Sequence, residues 1–185
     1  HLPLPSTVKN PVRIAVRFLR PRGILIDGAG TVFDPEAHSA AVIRLGRQLG
    51  WPILADGVSS VRQSGAKTDP IVVAYDMMLR DPELRISLQP ERVISFGPLP
   101  TSRILRRWLE ECDADILFVS TDDRNLDPGH ARSVHFQCRA RDLVPPGRRP
   151  NRSKDWERLW FEADRRVGRT ITTNLRTAGF PFEGA

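Results

Sequence analysis

The residues best placed to do chemistry lie between Glu91 and Trp108, in the run ERVISFGPLPTSRILRRW. Arg103 falls just beyond a proline-bracketed turn and just inside a helical pattern. An arginine there offers an anion two attractions: the positive end of the helix, and a planar fork of donors that fits a carboxylate. A plainer role stands beside this one, because Arg103, Arg106, Arg107, Glu110 and Glu111 also make up the solvated face of an ordinary amphipathic helix. Three other sets can be weighed the same way. Asp122, Asp123 and His130 have the chemistry of an acid–base set, but no nucleophile or metal-ligand cluster accompanies them. Asp27-Gly28-Ala29-Gly30-Thr31-Val32-Phe33 begins like a dinucleotide fingerprint, yet Phe33 stands at the third glycine position and only Asp56 offers itself to a ribose. A lone Gly-x-Gly at a strand end reads as a tight turn. Cys112 and Cys138 lie outside any Cys-x-x-Cys or Cys-His pattern, which argues against zinc and predicts two reduced thiols in a cytoplasmic protein.

The elements around Arg103 decide where it points. Val93, Ile94 and Phe96 form a short apolar run of the kind that makes a buried parallel strand. Gly97-Pro98-Leu99-Pro100 break the chain, Thr101 or Ser102 can cap, and Ile104, Leu105, Trp108 and Leu109 recur at helical spacing. Strand, turn and helix together deliver Arg103 to the rim beyond the carboxyl ends of the strands, where open α/β sheets bind ligands.

Upstream, Gly23-Ile24-Leu25-Ile26-Asp27 is a first buried strand. A helix follows with Asp34 as N-cap, Pro35 at its first position and Gly50 as its stop. Pro52-Ile53-Leu54-Ala55 gives a second strand, and Asp56 through Gly65 a polar loop. The spacing of Ile71, Val72, Tyr75, Met78 and Leu79 predicts a helix over 69–80. Further strands follow at 115–119 and 133–137. From Ser153 the chain reads as helix, with Trp156, Leu159, Trp160, Ala163 and Val167 in one stripe. Five strands joined by helices predict a three-layer α/β/α fold with a mostly parallel sheet.

Four segments resemble, in order, those of a known family. They are Gly50-Trp51-Pro52-Ile53, Tyr75-Asp76, Gly97-Pro98-Leu99-Pro100-Thr101-Ser102-Arg103, and Asp122 or Asp123 through Asp127-Pro128-Gly129-His130. The family is the middle domain of thiamine-diphosphate enzymes, and within it the menaquinone-pathway synthases. The likeness runs from about Arg22 to the C-terminus. It implies a Rossmann-like sheet of about six strands, without catalytic residues, serving as scaffold in a transferase that decarboxylates 2-oxoglutarate and adds the fragment to isochorismate. It also implies that Arg103 reaches into the substrate site, with Ser102 and the N–H groups of the turn as weaker contacts. Ile104 stands where some relatives carry a second base. Asp127-Pro128 and His130 would maintain the fold.

Thiamine diphosphate and Mg²⁺ would be bound by other domains, since Ala55-Asp56-Gly57 lacks the partnered Asn of the cofactor motif. No cofactor is then expected in this chain, which alone would be inactive, and the parent would be a homo-oligomer. The alternative is a Rossmann-like module that binds a nucleotide or another anion, or the equivalent domain of a decarboxylase or acetohydroxyacid synthase relative.

Composition narrows the partners. There are 28 Lys and Arg against 22 Asp and Glu, a net charge of +6, yet only Lys9, Lys67 and Lys154 are lysines. The densest cluster, Arg148, Arg149 and Arg152, lies in a proline-rich connection without interleaved aromatics, which argues against nucleic acid. A partner surface of opposite sign, such as other domains of a parent enzyme, accounts better for the charge. No run is long enough for a membrane span, and no signal-peptide pattern is present. The expected organisation is a linker over 1–21, an α/β middle domain over 22–145, and a Pro/Arg-rich connection with a helical segment over 146–185 leading to a cofactor domain.

Overall fold

The apolar runs of the sequence become strands of one six-stranded parallel sheet, whose central strands are buried on both faces while the edge strand over 133–137 is largely exposed. The computed structural model describes residues 12–15, 18–30, 32–64, 66, 70–121, 133–145 and 152–178. In chain order the strands are β1 (Val12–Arg13), β2 (Gly23–Asp27), β3 (Ile53–Ala55), β4 (Ile71–Val72), β5 (Arg92–Phe96), β6 (Asp115–Ser120), β7 (Ser133–Gln137) and β8 (Leu143–Val144). The helices are α1 (Pro35–Leu49), α2 (Ser60–Ser64), α3 (Tyr75–Met78), α4 (Pro82–Ser87), α5 (Arg103–Glu111) and α6 (Lys154–Ala178). The main sheet has the order β4-β3-β2-β5-β6-β7, and β1 pairs separately with β8.

Alternation along the strands separates two cores. Ile24, Ile26, Val93, Ile116 and Phe118 face one side, where α3, α5 and α6 contribute Tyr75, Met78, Trp108 and Trp160. Leu25, Ile94, Leu117 and Val119 face the other, covered by Val42, Leu45 and Leu49 of α1 and Val61 of α2. The result is the three-layer α/β/α arrangement. Trp160 is the hinge pin of the first layer, with its ring 6.0 Å from both Trp108 and Trp156 in edge-to-face contacts, a geometry that adds to simple burial.

Local chemistry sets the helix ends. Asp34 accepts the Ala37 N–H at 3.0 Å, Pro35 opens α1, and Gly50 closes it. The same Asp-Pro device starts α4, where Asp81 accepts from Glu83 and Leu84 N–H groups at 2.9 and 3.1 Å.

The expected helix over 69–80 is corrected: Ile71–Val72 is the edge strand β4, and only Tyr75–Met78 is helical. Three consecutive β-branched residues, Ile71-Val72-Val73, favour the strand. Pairing with β3 supplies its partner, beginning with the Ile53 N–H donated to the Pro70 carbonyl at 2.7 Å. This edge strand completes the six that the family resemblance implies. The polar loop over 56–65 likewise contains the short helix α2. Within the stretch read as linker over 1–21, β1 packs on β8, and Ile14 is buried. Beyond residue 146, the first half of α6 contributes Trp156, Trp160 and Ala163 to the core.

Candidate functional site

Along the chain, β2 leads through α1 to β3 on one side, while β5 lies on the other. The carboxyl ends of β2 and β5 therefore flank the point where strand order reverses, the ligand-binding crevice of this architecture. Two turns meet there. Gly97, with φ 72°, lets the chain leave β5 in a left-handed conformation that suits glycine. Gly28, just after β2, lies so close to this turn that an added Cβ would stand 2.2 Å from the Pro98 carbonyl oxygen. In a dinucleotide fingerprint such a glycine makes room for a pyrophosphate. Here the room is filled by the protein's own β5 turn.

Arg103 opens α5 immediately beyond that turn, on the carboxyl rim where the sequence places it. It is exposed and, among the described residues, has no hydrogen-bond or ion-pair partner. Its neighbours are engaged. Arg106 folds back over the turn, donating from Nε to the Pro100 carbonyl at 2.7 Å and from Nη2 to that of Leu99 at 3.2 Å. Arg107 pairs with Glu111 at 3.2 Å. Glu111 also accepts from Arg85, and this hydrogen bond, ahead of the other causes, holds its carboxyl below the usual range.

Ser102, the other expected substrate contact, uses its hydroxyl within the protein. Its oxygen accepts the Leu105 N–H at 3.1 Å as the N-cap of α5, and its proton goes to Asp76 Oδ1. Asp76 Oδ2 in turn accepts from Arg80 Nη2 at 3.1 Å and Nε at 3.2 Å. The start of α3 is fixed from α6, where Asp164 accepts the N–H groups of Val73 and Ala74 at 3.0 and 2.8 Å. Neither Asp164 nor Arg106 stands out in the sequence; both look like solvated helix residues. Beside Asp76, burial and then the charge of Asp56 push the Tyr75 hydroxyl up to about 12, so Tyr75 stays a neutral phenol.

A cavity of about 190 Å³ adjoins this rim at the N-terminus of α1, with Asp27, Phe33, His38, Pro98, Arg139 and Arg141 among its lining. Asp27 is buried at 3% exposure. Its two oxygens are taken by His38 Nε2 at 2.7 Å and by the Ser59 hydroxyl. In the sequence Asp27 reads as a strand end and as the start of the broken fingerprint, and His38 has no assigned role; a histidine one turn into a helix that follows a strand-terminal acid is the available signal. Arg139 and Arg141, after β7, have no ion-pair partner among the described residues. The loop with Asp122, Asp123, Asp127, Pro128 and His130 lies outside the described residues, as do Arg148 and Arg149.

The family model described as the middle domain of thiamine pyrophosphate enzymes matches residues 8–181. The chain belongs to this family. As a thiamine pyrophosphate middle domain it is similar to curated proteins named 2-succinyl-5-enolpyruvyl-6-hydroxy-3-cyclohexene-1-carboxylate synthase. The one from Nostoc sp. is 33% identical over 94% of this chain and 30% of its own length. That from Microcystis aeruginosa is 30% identical over 100% of the chain and 32% of its own length. That from Thermosynechococcus vestitus is 42% identical over 79% of the chain and 25% of its own length. The chain thus spans about a third of the length of the relatives it matches.

Among the described residues, those of Ala55-Asp56-Gly57 do not fit a thiamine diphosphate–Mg²⁺ site. Asp56, the acid of Ala55-Asp56-Gly57, accepts the Val58 N–H at 3.3 Å and so closes a turn. No group of three or more His, Cys, Asp or Glu suited to a metal ion occurs among the described residues. Cys112 and Cys138 are free and buried, and burial pushes their thiols up to about 12 and about 11. No helix among the described residues is long and apolar enough to cross a membrane.

Proposed function

We propose that this chain is the middle domain of a 2-succinyl-5-enolpyruvyl-6-hydroxy-3-cyclohexene-1-carboxylate synthase, an enzyme of menaquinone biosynthesis. In this reading the parent decarboxylates 2-oxoglutarate and adds the fragment to isochorismate, with thiamine diphosphate and Mg²⁺ held by its other domains. The middle domain is scaffold and partner surface for those domains, is inactive alone, and lends the substrate site one cation. The parent works as a cytoplasmic homo-oligomer. The domain takes in β1 from the stretch expected as linker and the first half of α6, whose far end leads on to the cofactor domain.

The observation that carries the reading is the state of Arg103: exposed at the carboxyl rim, at the start of α5, and without a partner among the described residues. Both substrates are carboxylic acids, and an arginine can grip both oxygens of one carboxylate. A charge-assisted bond of this kind contributes about 1.5–3 kcal/mol. In the full-length enzyme, Arg103→Ala is expected to raise KM for one of the two acids by about tenfold or more. Unchanged kinetics in a folded variant would return Arg103 to the solvated helix face.

A second reading, an anion- or nucleotide-binding module, is favoured by the cavity beside α1 and its Arg139 and Arg141. A helix N-terminus and two cations suit a phosphate. Titration calorimetry with ADP tests it, and no heat at millimolar nucleotide would remove it.

A further inference from the structure

Arg103 is held where it is by contacts that converge on the four residues before it, and we infer that Asp76 and Arg106 are positioning residues for Arg103. The inference rests on the reading of Arg103 as the group that meets a substrate carboxylate. Residues 99–102 form a turn that carries Pro100 and follows the left-handed Gly97, so regular secondary structure does not restrain it. Side chains do.

From one side comes a relay of hydrogen bonds. Asp164 of α6 fixes the start of α3, α3 presents Asp76, and Asp76 takes the Ser102 hydroxyl that caps α5. Ser102 has a single proton, and Asp76 holds it. The serine is thereby recast from substrate contact to cap, with no donor left for a carboxylate. From the other side Arg106 grips the Leu99 and Pro100 carbonyls at 3.2 and 2.7 Å. Below the turn, the Pro98 carbonyl rests on Gly28.

The charges are consistent with an anion site. A bare carboxylate beside the α5 N-terminus would repel an acidic substrate. Asp76 is offset by Arg80, whose Nε and Nη2 both donate to its Oδ2, so it can orient the cap without cancelling Arg103. Arg106 turns its Nε and one Nη2 donor to backbone oxygens, which ties its guanidinium to the turn beside Arg103. Positioning of this kind lowers the entropy lost when the ligand is gripped.

The test is a set of double-mutant cycles in the full-length enzyme. Asp76→Ala and Arg106→Gln are each made alone and together with Arg103→Ala, and Ser102→Ala is compared with Ser102→Thr. Each positioning variant is expected to raise KM about fivefold, roughly the effect of losing one helix cap, for the same acid that Arg103→Ala weakens, with kcat within about twofold. On the Arg103→Ala background the same changes add nothing further, because their effect passes through that guanidinium. Ser102→Thr keeps the hydroxyl and retains the wild-type KM, whereas Ser102→Ala does not.

Additive effects in the double variants, or equal losses for both acids and kcat, would make Asp76 and Arg106 merely structural. If Arg103→Ala raises KM while the positioning variants leave it unchanged, the bracing is wrong and the reading of Arg103 stands. If Arg103→Ala itself changes nothing, both fall.

Discussion

The two rims of the sheet use arginine in opposite ways. At the amino ends of the strands, Arg92 of β5 pairs across the ladder with Asp115 of β6 at 3.0 Å and donates to the Glu91 carbonyl at 2.6 Å. Its guanidinium also lies over the Phe18 ring at 5.6 Å. Next to it, the Arg22 guanidinium lies 3.9 Å from the Glu91 carboxylate, which also accepts the Arg22 backbone N–H at 3.2 Å. At the carboxyl ends, Arg103, Arg139 and Arg141 have no such partners among the described residues. The same residue type closes one rim, and at the other leaves three guanidiniums open beside the engaged Arg106. A cation already neutralised by a fixed neighbour belongs to the fold; a cation left exposed at a switch point is available to a ligand.

Mutations at the two rims should separate cleanly if this contrast holds. The largest effect is expected from Gly28→Ala, which forces a methyl group against the Pro98 carbonyl and costs about 2–3 kcal/mol in urea unfolding. A fully stable variant would show that the turn gives way easily. Asp115→Ala comes next. It strands the half-buried Arg92 and should cost about 1–2 kcal/mol, screened by partial exposure, while leaving KM values unchanged. A change in substrate affinity there would erase the distinction between the rims.

Alkaline pH probes both ends of the first core. Tyr75 near the open rim and Cys112 at the far end of α5 are both held protonated in the fold, with pKa values raised to about 12. The raised folded pKa means that their stabilising contribution is fully present below the unfolded values, about 10 for tyrosine and 8.5–9 for cysteine. It is lost progressively as pH climbs from there toward 12. Thermal melts should therefore fall from about pH 9 upward, and Cys112→Ala should lessen the decline between pH 9 and 10. A flat profile would contradict the burial of both groups. Smallest of all is the effect of Arg103→Ala on stability, expected within about 0.5 kcal/mol. A larger loss would mean that Arg103 belongs to the fold as Arg92 does.

How legible this was in the sequence depended on whether a signal was local. Asp34-Pro35 and Gly50 specify the ends of α1 by themselves, and the structure places the caps on those residues. The strands β2, β5 and β6 are apolar runs with breakers on either side, and they too were readable. The edge strand β4 was not, because Ile71, Val72, Tyr75 and Met78 satisfy a helical stripe as well as a strand followed by one turn. Only pairing with β3 decides between them. Arg103 was legible because a turn and a cap fix its place. The tasks of Ser102, Asp76, Arg106 and Asp164 were hidden, since each depends on a partner brought near by folding, 90 residues away for Asp164 and Ala74.

Helix α6 is held unevenly along its length. Its 25 residues span about 37 Å. The first three turns are anchored by Trp156, Trp160 and Ala163, whereas every residue from Arg169 to Thr177 is exposed. That outer part is rich in threonine, a weak helix former, so little beyond its own ladder holds it. Amide hydrogens along this single helix should exchange on a gradient, slow beside the tryptophans and faster with every turn outward.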